Sequence, residues 1–285
     1  MQRLRITHLT EYRFSSPVTL LPHRLLVRPR EGHDIHIETS RLDIVPRHTI
    51  KWHRDVFDNS VAVVSFLEPG ACLSIASEVV IQHYEEAPLD FLVEDYAVEY
   101  PFVYRPEERT DLIPFQQPVY PNDQKAIRDW LSELGVGARA SETYAMLDRI
   151  NRAIAATFTY VVRDEEGVQS PVQTLAERRG SCRDYAAVFI EACRALGLAS
   201  RFVSGYSHGP ASESANATTH AWAEVYLPGP GWKGFDPTSG EVTGTHHIPI
   251  AVARHPEAVP PVAGSFVGPA GTRPALVVNV QVTAL

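Results

Sequence analysis

Gly180-Ser181-Cys182-Arg183-Asp184-Tyr185-Ala186 decides how this chain is read, and Thr219-His220-Ala221-Trp222 and Gly234-Phe235-Asp236-Pro237-Thr238 complete it. Cys182 stands where a helix begins. Gly180 permits a tight entry, and Asp184 in the first turn suits the positive end of the helix dipole. Val188, Ile190, Cys193, Leu196 and Leu198 then supply an apolar side, and Gly197 stops the helix. The two later stretches read as strands, joined by a hairpin that turns at Pro228-Gly229-Pro230-Gly231. A helix start and two strand ends let a cysteine, a histidine and an aspartate that are distant in sequence meet at one place.

The chemistry of such a meeting is specific. Cysteine attacks as thiolate, and a free pKa of about 8.5 leaves little thiolate at neutral pH. The unpaired N–H groups of a helix N-terminus and a histidine in hydrogen-bond reach both favour the charged form. His220 is the expected base. Asp236 lies at the end of the partner strand, and neighbouring strands run about 5 Å apart, so it is the expected orienter of the imidazole. The backbone N–H of Cys182 is one donor for a developing oxyanion. Tyr160, on a short strand upstream, is the expected second donor, with Gln169 and Gln173 as alternatives.

Other residues carry two readings each. Asp184 lines the cleft, or it is a first-turn acid and a partner for Arg183 or Arg201; the second is favoured. Trp222 shields or lines the site, or packs in the core. His246 or His247 lines the substrate entrance. His220, His246, His247 and His255 also suggest a metal, but adjacent side chains on an extended strand point opposite ways, and no metal is expected. Cys193 and Cys72 read as core. Three scattered cysteines argue against a disulfide framework, and the lack of C-x-x-C spacing argues against structural zinc.

The chain has 285 residues, 44% of them hydrophobic, enough for a substantial core and two units. A net charge of -8 and the lack of any long basic run exclude a nucleic-acid binder. The start, Met1 to His8, alternates and carries charge without an apolar signal-peptide region. No window approaches the roughly 20 apolar residues of a membrane span, and a cytoplasmic location is expected. Residues 1–85 show short alternating runs at 4–9, 24–28, 35–45, 50–53, 61–66 and 73–82, separated by turn signals such as Pro17, Asp58-Asn59 and Pro69-Gly70. They read as an antiparallel sandwich or half-barrel. Residues 86–122 hold six prolines and read as an irregular linker. Residues 123–285 hold helices at about 123–134, 141–158 and 171–178, the cysteine helix and the strands above. An exposed mobile loop is expected at 207–217, and a loop-like stretch follows Asp236 until a last strand at 275–282.

These segments, in this order, resemble the transglutaminase-like superfamily of cysteine enzymes. Gly180 to Ala186, with its helix running to Gly197, resembles that family's nucleophile segment. Ser204-Gly205-Tyr206 resembles the strand that follows, Thr219 to Tyr226 the histidine strand, and Trp232 to Thr238 the aspartate strand. The portion from Leu4 through Asn59 to Val79 resembles the β-rich domain that precedes this core in bacterial members. The resemblance implies an α+β, papain-like core of helices packed on an antiparallel sheet, with Cys182 as nucleophile, His220 as base and Asp236 as orienter. Members include crosslinking transferases, peptidases and amidases. The calcium sites and extra β-sandwich domains of the animal crosslinking enzymes have no counterpart here. The expectation is cofactor-free hydrolysis of a peptide, protein or small amide through an acyl-thioester. Transfer to an amine and a non-catalytic binding module are the alternatives.

Overall fold

The computed structural model describes residues 1–84, 89–137, 139–163, 165, 167–208 and 217–285. Six strands open the chain: β1 (Gln2–Leu20), β2 (His23–Leu25), β3 (Ile35–Val45), β4 (His48–Arg54), β5 (Ser60–Phe66) and β6 (Gly70–His83). Period-two burial explains β1, because Leu4, Ile6, His8 and Thr10 all turn inward. The strand runs through Pro17 rather than turning there. Its ladder with β6 shifts register between Arg13 and Val18, and a residue without an N–H is tolerated at such a break. β6 also pairs with β3, while β2, β5 and β4 form a second sheet. Leu25, Ala62, Val64, Leu73 and Ile75 fill the space between the two.

The proline-rich stretch is more regular than its composition suggests. It contains α1 (Asp95–Val98), β7 (Glu99–Tyr100) and α2 (Pro106–Gln116). Pro106 is the first residue of α2, where a missing N–H costs nothing. Leu112 docks α2 into a small apolar cluster with Tyr104 and Ala199.

The helical layer follows: α3 (Gln124–Glu133), β8 (Ser141–Glu142), α4 (Thr143–Thr157), β9 (Thr159–Tyr160), α5 (Pro171–Glu177), β10 (Arg179–Gly180) and α6 (Cys182–Ala195). α5 starts as the sequence suggests, with the Ser170 hydroxyl accepting from Gln173 N–H. Eleven of the 14 residues of α6 are buried, so this helix is covered on all sides rather than one. One pair of its charges is sealed in as well. Arg194 pairs with Glu191 at 2.7 Å and donates to the carbonyls of Ser200 and Arg254.

β11 (Ser200–His208), β12 (Ala217–Leu227) and β13 (Gly231–Asp236) support α6. The stretch after Asp236 is not loop-like throughout. It contains β14 (Glu241–Val242), β15 (His247–Ala253), β16 (Val262–Ala263), β17 (Phe266–Val267) and β18 (Ala275–Ala284). Most of the loop expected at 207–217 lies outside the described residues.

β18 lies between β12 and β1, so one sheet runs β14-β13-β12-β18-β1-β6-β3 across both halves of the chain. Two buried polar contacts add to that continuity. His8 meets the Tyr206 hydroxyl at 2.6 Å and the Thr10 hydroxyl at 2.8 Å, and burial pushes its pKa down to about 4. The Asn59 side chain donates to the Val252 carbonyl and accepts from the Val252 N–H, both at 2.8 Å, as a neighbouring strand would. No helix among the described residues is long and apolar enough to cross a membrane.

Candidate active site

Cys182 is the first residue of α6, and Ser181 before it is extended (φ -96, ψ 176). Asp184 fixes that entry. Its Oδ2 accepts from the Ser181 N–H and hydroxyl, both at 2.8 Å, and its Oδ1 from Gln169 N–H and Arg163 at 2.8 Å. The carboxylate is fully buried, so it supports the Cys182 turn from behind and does not line the cleft. Gly180 is required by the same contact, since a Cβ there would meet Asp184 Cβ at 2.9 Å. Replacing Asp184 by alanine strands Arg163 and the Ser181 and Gln169 N–H groups. The expected loss is about 3 kcal/mol of stability, read from urea denaturation.

His220 projects from β12, opposite Gly205 of β11. Its Nε2 donates to Asp236 Oδ2 at 2.9 Å, and Cys182 faces the ring closely enough to raise its pKa. With Nε2 committed to Asp236, Nδ1 is the nitrogen left for the thiol. Burial pushes the imidazole pKa down, but the hydrogen bonds and charges of Asp236 and Cys182 outweigh it and raise the value to about 10. Burial likewise pushes the Asp236 carboxyl up, yet His220 and His247 together hold it well below the usual carboxylate range. The arrangement therefore favours an imidazolium between a carboxylate and a thiol at neutral pH.

Tyr160 arrives by strand pairing. β9 runs parallel to β10 with Tyr160 opposite Gly180, two residues before Cys182. Burial first, and then the proximity of Cys182, raise the pKa of its hydroxyl. Gln169 is elsewhere: its Oε1 accepts from Thr174 at 3.2 Å and its Nε2 reaches Glu177 at 3.4 Å. Gln173 bonds Glu177 from the exposed side of α5. Both amides are spent on their own helix region, which the sequence spacing alone does not reveal.

Cys182 and His220 open on a cleft of about 650 Å³. Phe202, Ala221, Val259, Pro260 and Pro261 give it apolar lining, and Glu257 adds a charge. Trp222 and His246 are not among its lining residues. Trp222 is 1% exposed and packs beside both His220 (6.2 Å) and His247 (5.2 Å), covering the imidazole pair from one side. His246 is exposed and stands edge-on to His208.

Its neighbour His247, the other residue expected at the substrate entrance, does not line the cleft, and its place behind Asp236 is what sequence reasoning missed. His247 Nε2 donates to Asp236 Oδ2 at 3.2 Å, so two imidazoles share one carboxylate oxygen. His247, Ile248, Pro249 and Ile250 alternate as a strand does, with His247 facing opposite to His246, but the alternation alone does not say which face carries the site. The ligand atoms of His220, Asp236 and His247 lie within 4.8 Å of one another, a donor set that suits a divalent cation. An ion there would have to displace both N–H···O bonds, and we assign the three as a hydrogen-bonded group.

Two family models match this chain. Residues 133–237 match the transglutaminase-like superfamily, and residues 4–82 match the bacterial transglutaminase-like N-terminal region. Over these two stretches the chain belongs to the transglutaminase-like superfamily. Uncharacterised proteins of Mycobacterium bovis and Mycobacterium tuberculosis are each 28% identical over 92% of this chain and 87% of their own length. One from Mycobacterium leprae is 22% identical over the full length of both. Among solved structures, one from Cytophaga hutchinsonii, described as a candidate cysteine protease, superimposes with a TM-score of 0.78 at 22% identity. It covers 100% of this chain and 91% of that one, so the transglutaminase-like core and its β-rich N-terminal region share one architecture.

Proposed function

We propose that this transglutaminase-like protein hydrolyses amide or peptide bonds through a thioester on Cys182. The observation that carries this reading is the placement of His220 and Tyr160 against one thiol, with Asp236 2.9 Å behind the imidazole. The Cys182 thiolate adds to the carbonyl carbon, and the oxyanion takes hydrogen bonds from the Cys182 N–H and the Tyr160 hydroxyl. The Cys182 N–H is available because the first residues of a helix have no acceptor within it. The His220 imidazolium gives its proton to the leaving nitrogen, the C–N bond breaks, and the acyl group stays on sulfur. Water then attacks the thioester. Neutral His220 takes the water proton, the C–S bond breaks, and the acid departs from a restored thiolate–imidazolium pair. The likeness to a candidate cysteine protease supports the same reading, and the cleft volume suits a short peptide segment.

The test is incubation of the purified protein with a mixed peptide substrate, including glutamine-containing peptides, and a labelled primary amine. New peptide termini or free acid support hydrolysis. Label incorporated without free acid assigns transfer instead, and neither product, from a thiol inert to alkylation below pH 8, assigns a binding module. Tyr160→Phe tests the oxyanion contact. Removing one such donor is expected to lower kcat by about a hundredfold with little change in KM; an unchanged kcat removes Tyr160 from the mechanism.

A further inference from the structure

We infer that His247 is a positioning residue for the candidate triad, holding Asp236 in the orientation that His220 requires; this rests on the thiolate reading above. The tautomer of His247 is set by its own surroundings. Its Nδ1 accepts from Gly244 N–H at 3.4 Å, which leaves the hydrogen on Nε2, the atom that faces Asp236 Oδ2 at 3.2 Å. The side chain is 9% exposed, and the edge of the Trp222 indole packs against the ring at 5.2 Å.

The segment that delivers His247 is itself pinned. Thr243 N–H donates to the Gly234 carbonyl at 3.0 Å, His247 N–H to Gly244 at 2.9 Å, and His208 N–H to His246 at 3.1 Å. Gly234 lies in the strand that carries Asp236, so carboxylate and second imidazole are indexed to each other by backbone contacts. The charged and titratable groups around His247 are Asp236 and His220 on one side. On the other, Asp34, His83, Glu224 and Lys233 line a cavity of about 100 Å³, with His208 beyond the segment. Asp236 Oδ1 is meanwhile held by Thr238 N–H at 2.9 Å. With His247 in place the carboxylate has donors on both oxygens and two on Oδ2, and rotation about its Cβ–Cγ bond breaks all three contacts together.

The experiment compares the pH dependence of iodoacetamide alkylation of Cys182 in the wild-type protein, His247→Phe and His247→Gln, with thermal melts of each. It needs no substrate. Phenylalanine fills the space against Trp222 and removes the donor; glutamine keeps an N–H for Asp236. The wild-type thiol is expected to react well below pH 8. In His247→Phe the acid limb is expected to move up by about one pH unit, a rate loss of about tenfold at pH 6, and His247→Gln is expected to recover to within about threefold of wild type. If the phenylalanine variant overlays a reactive wild type, the inference fails and the thiolate reading stands. Equal losses in both variants with unchanged melts assign His247 to ring packing and also overturn it. A wild-type thiol inert below pH 8 removes the reading and the inference together.

Discussion

Cys182→Ser is expected to lose amide turnover by on the order of a millionfold while keeping its fold. The hydroxyl differs from the thiol by one atom and sits at the same half-buried helix start, so α6 and the Asp184 contacts persist. The chemistry does not persist. An alcohol is a far weaker acid than a thiol, and His220 cannot hold it as an ion pair at neutral pH. The comparison to make is turnover against circular dichroism and melting temperature. Residual activity within a hundredfold of wild type, in a variant that melts normally, would place the nucleophile elsewhere. Cys193 is no substitute, being wholly enclosed in the core with its thiol pKa pushed up by burial.

Asp236→Asn is expected to cost about a thousandfold or more in kcat, and the hydrogen-bond inventory explains why. Every contact to the carboxylate comes from a donor: His220 and His247 on Oδ2, Thr238 N–H on Oδ1. An amide offers one acceptor oxygen and one NH2 group. If its oxygen faces the imidazoles, the NH2 meets the Thr238 N–H. If it turns round, the NH2 meets both rings. The cheapest relief is for His220 to move its hydrogen to Nδ1 and accept at Nε2, which takes away its ability to receive a proton from the thiol. Alkylation should then follow an ordinary cysteine titration near pH 8.5 instead of an acidic one. A variant that keeps the wild-type rate and profile would show that Asp236 does not orient the imidazole.

The central group was legible because each member advertises itself locally. Cys182 opens a helix with a first-turn acid, and His220 and Asp236 sit on two strands of one hairpin, whose pairing follows from the Pro228–Gly231 turn. What stayed hidden depends on long-range register. The choice between His246 and His247 is decided by the pairing of β15 with β11, and that ladder slips between Ser204 and Gly205. A one-residue slip exchanges the two faces of a strand, so no count along the sequence reaches the answer. The fate of Asp184 depends on Arg163, which arrives from 21 residues upstream. In α2 the proline signal was read as irregularity, because composition alone does not separate proline at a first helical turn from proline in a linker.

The seating of β18 between β1 and β12 has a consequence for how the molecule is made. Ten successive residues of β1, Leu4 to Arg13, find their partners at Ala284 to Ala275, 262 to 280 positions later. During synthesis this edge emerges early and stays uncovered while the whole helical layer and the cysteine segment leave the ribosome. An unsatisfied edge of that length is the kind of surface on which nascent chains stick to one another. A premature stop a dozen codons short of the β18 residues would spare every side chain of the candidate site and still leave the β1 edge bare. Such a product is expected to be lost to aggregation before any question of turnover arises.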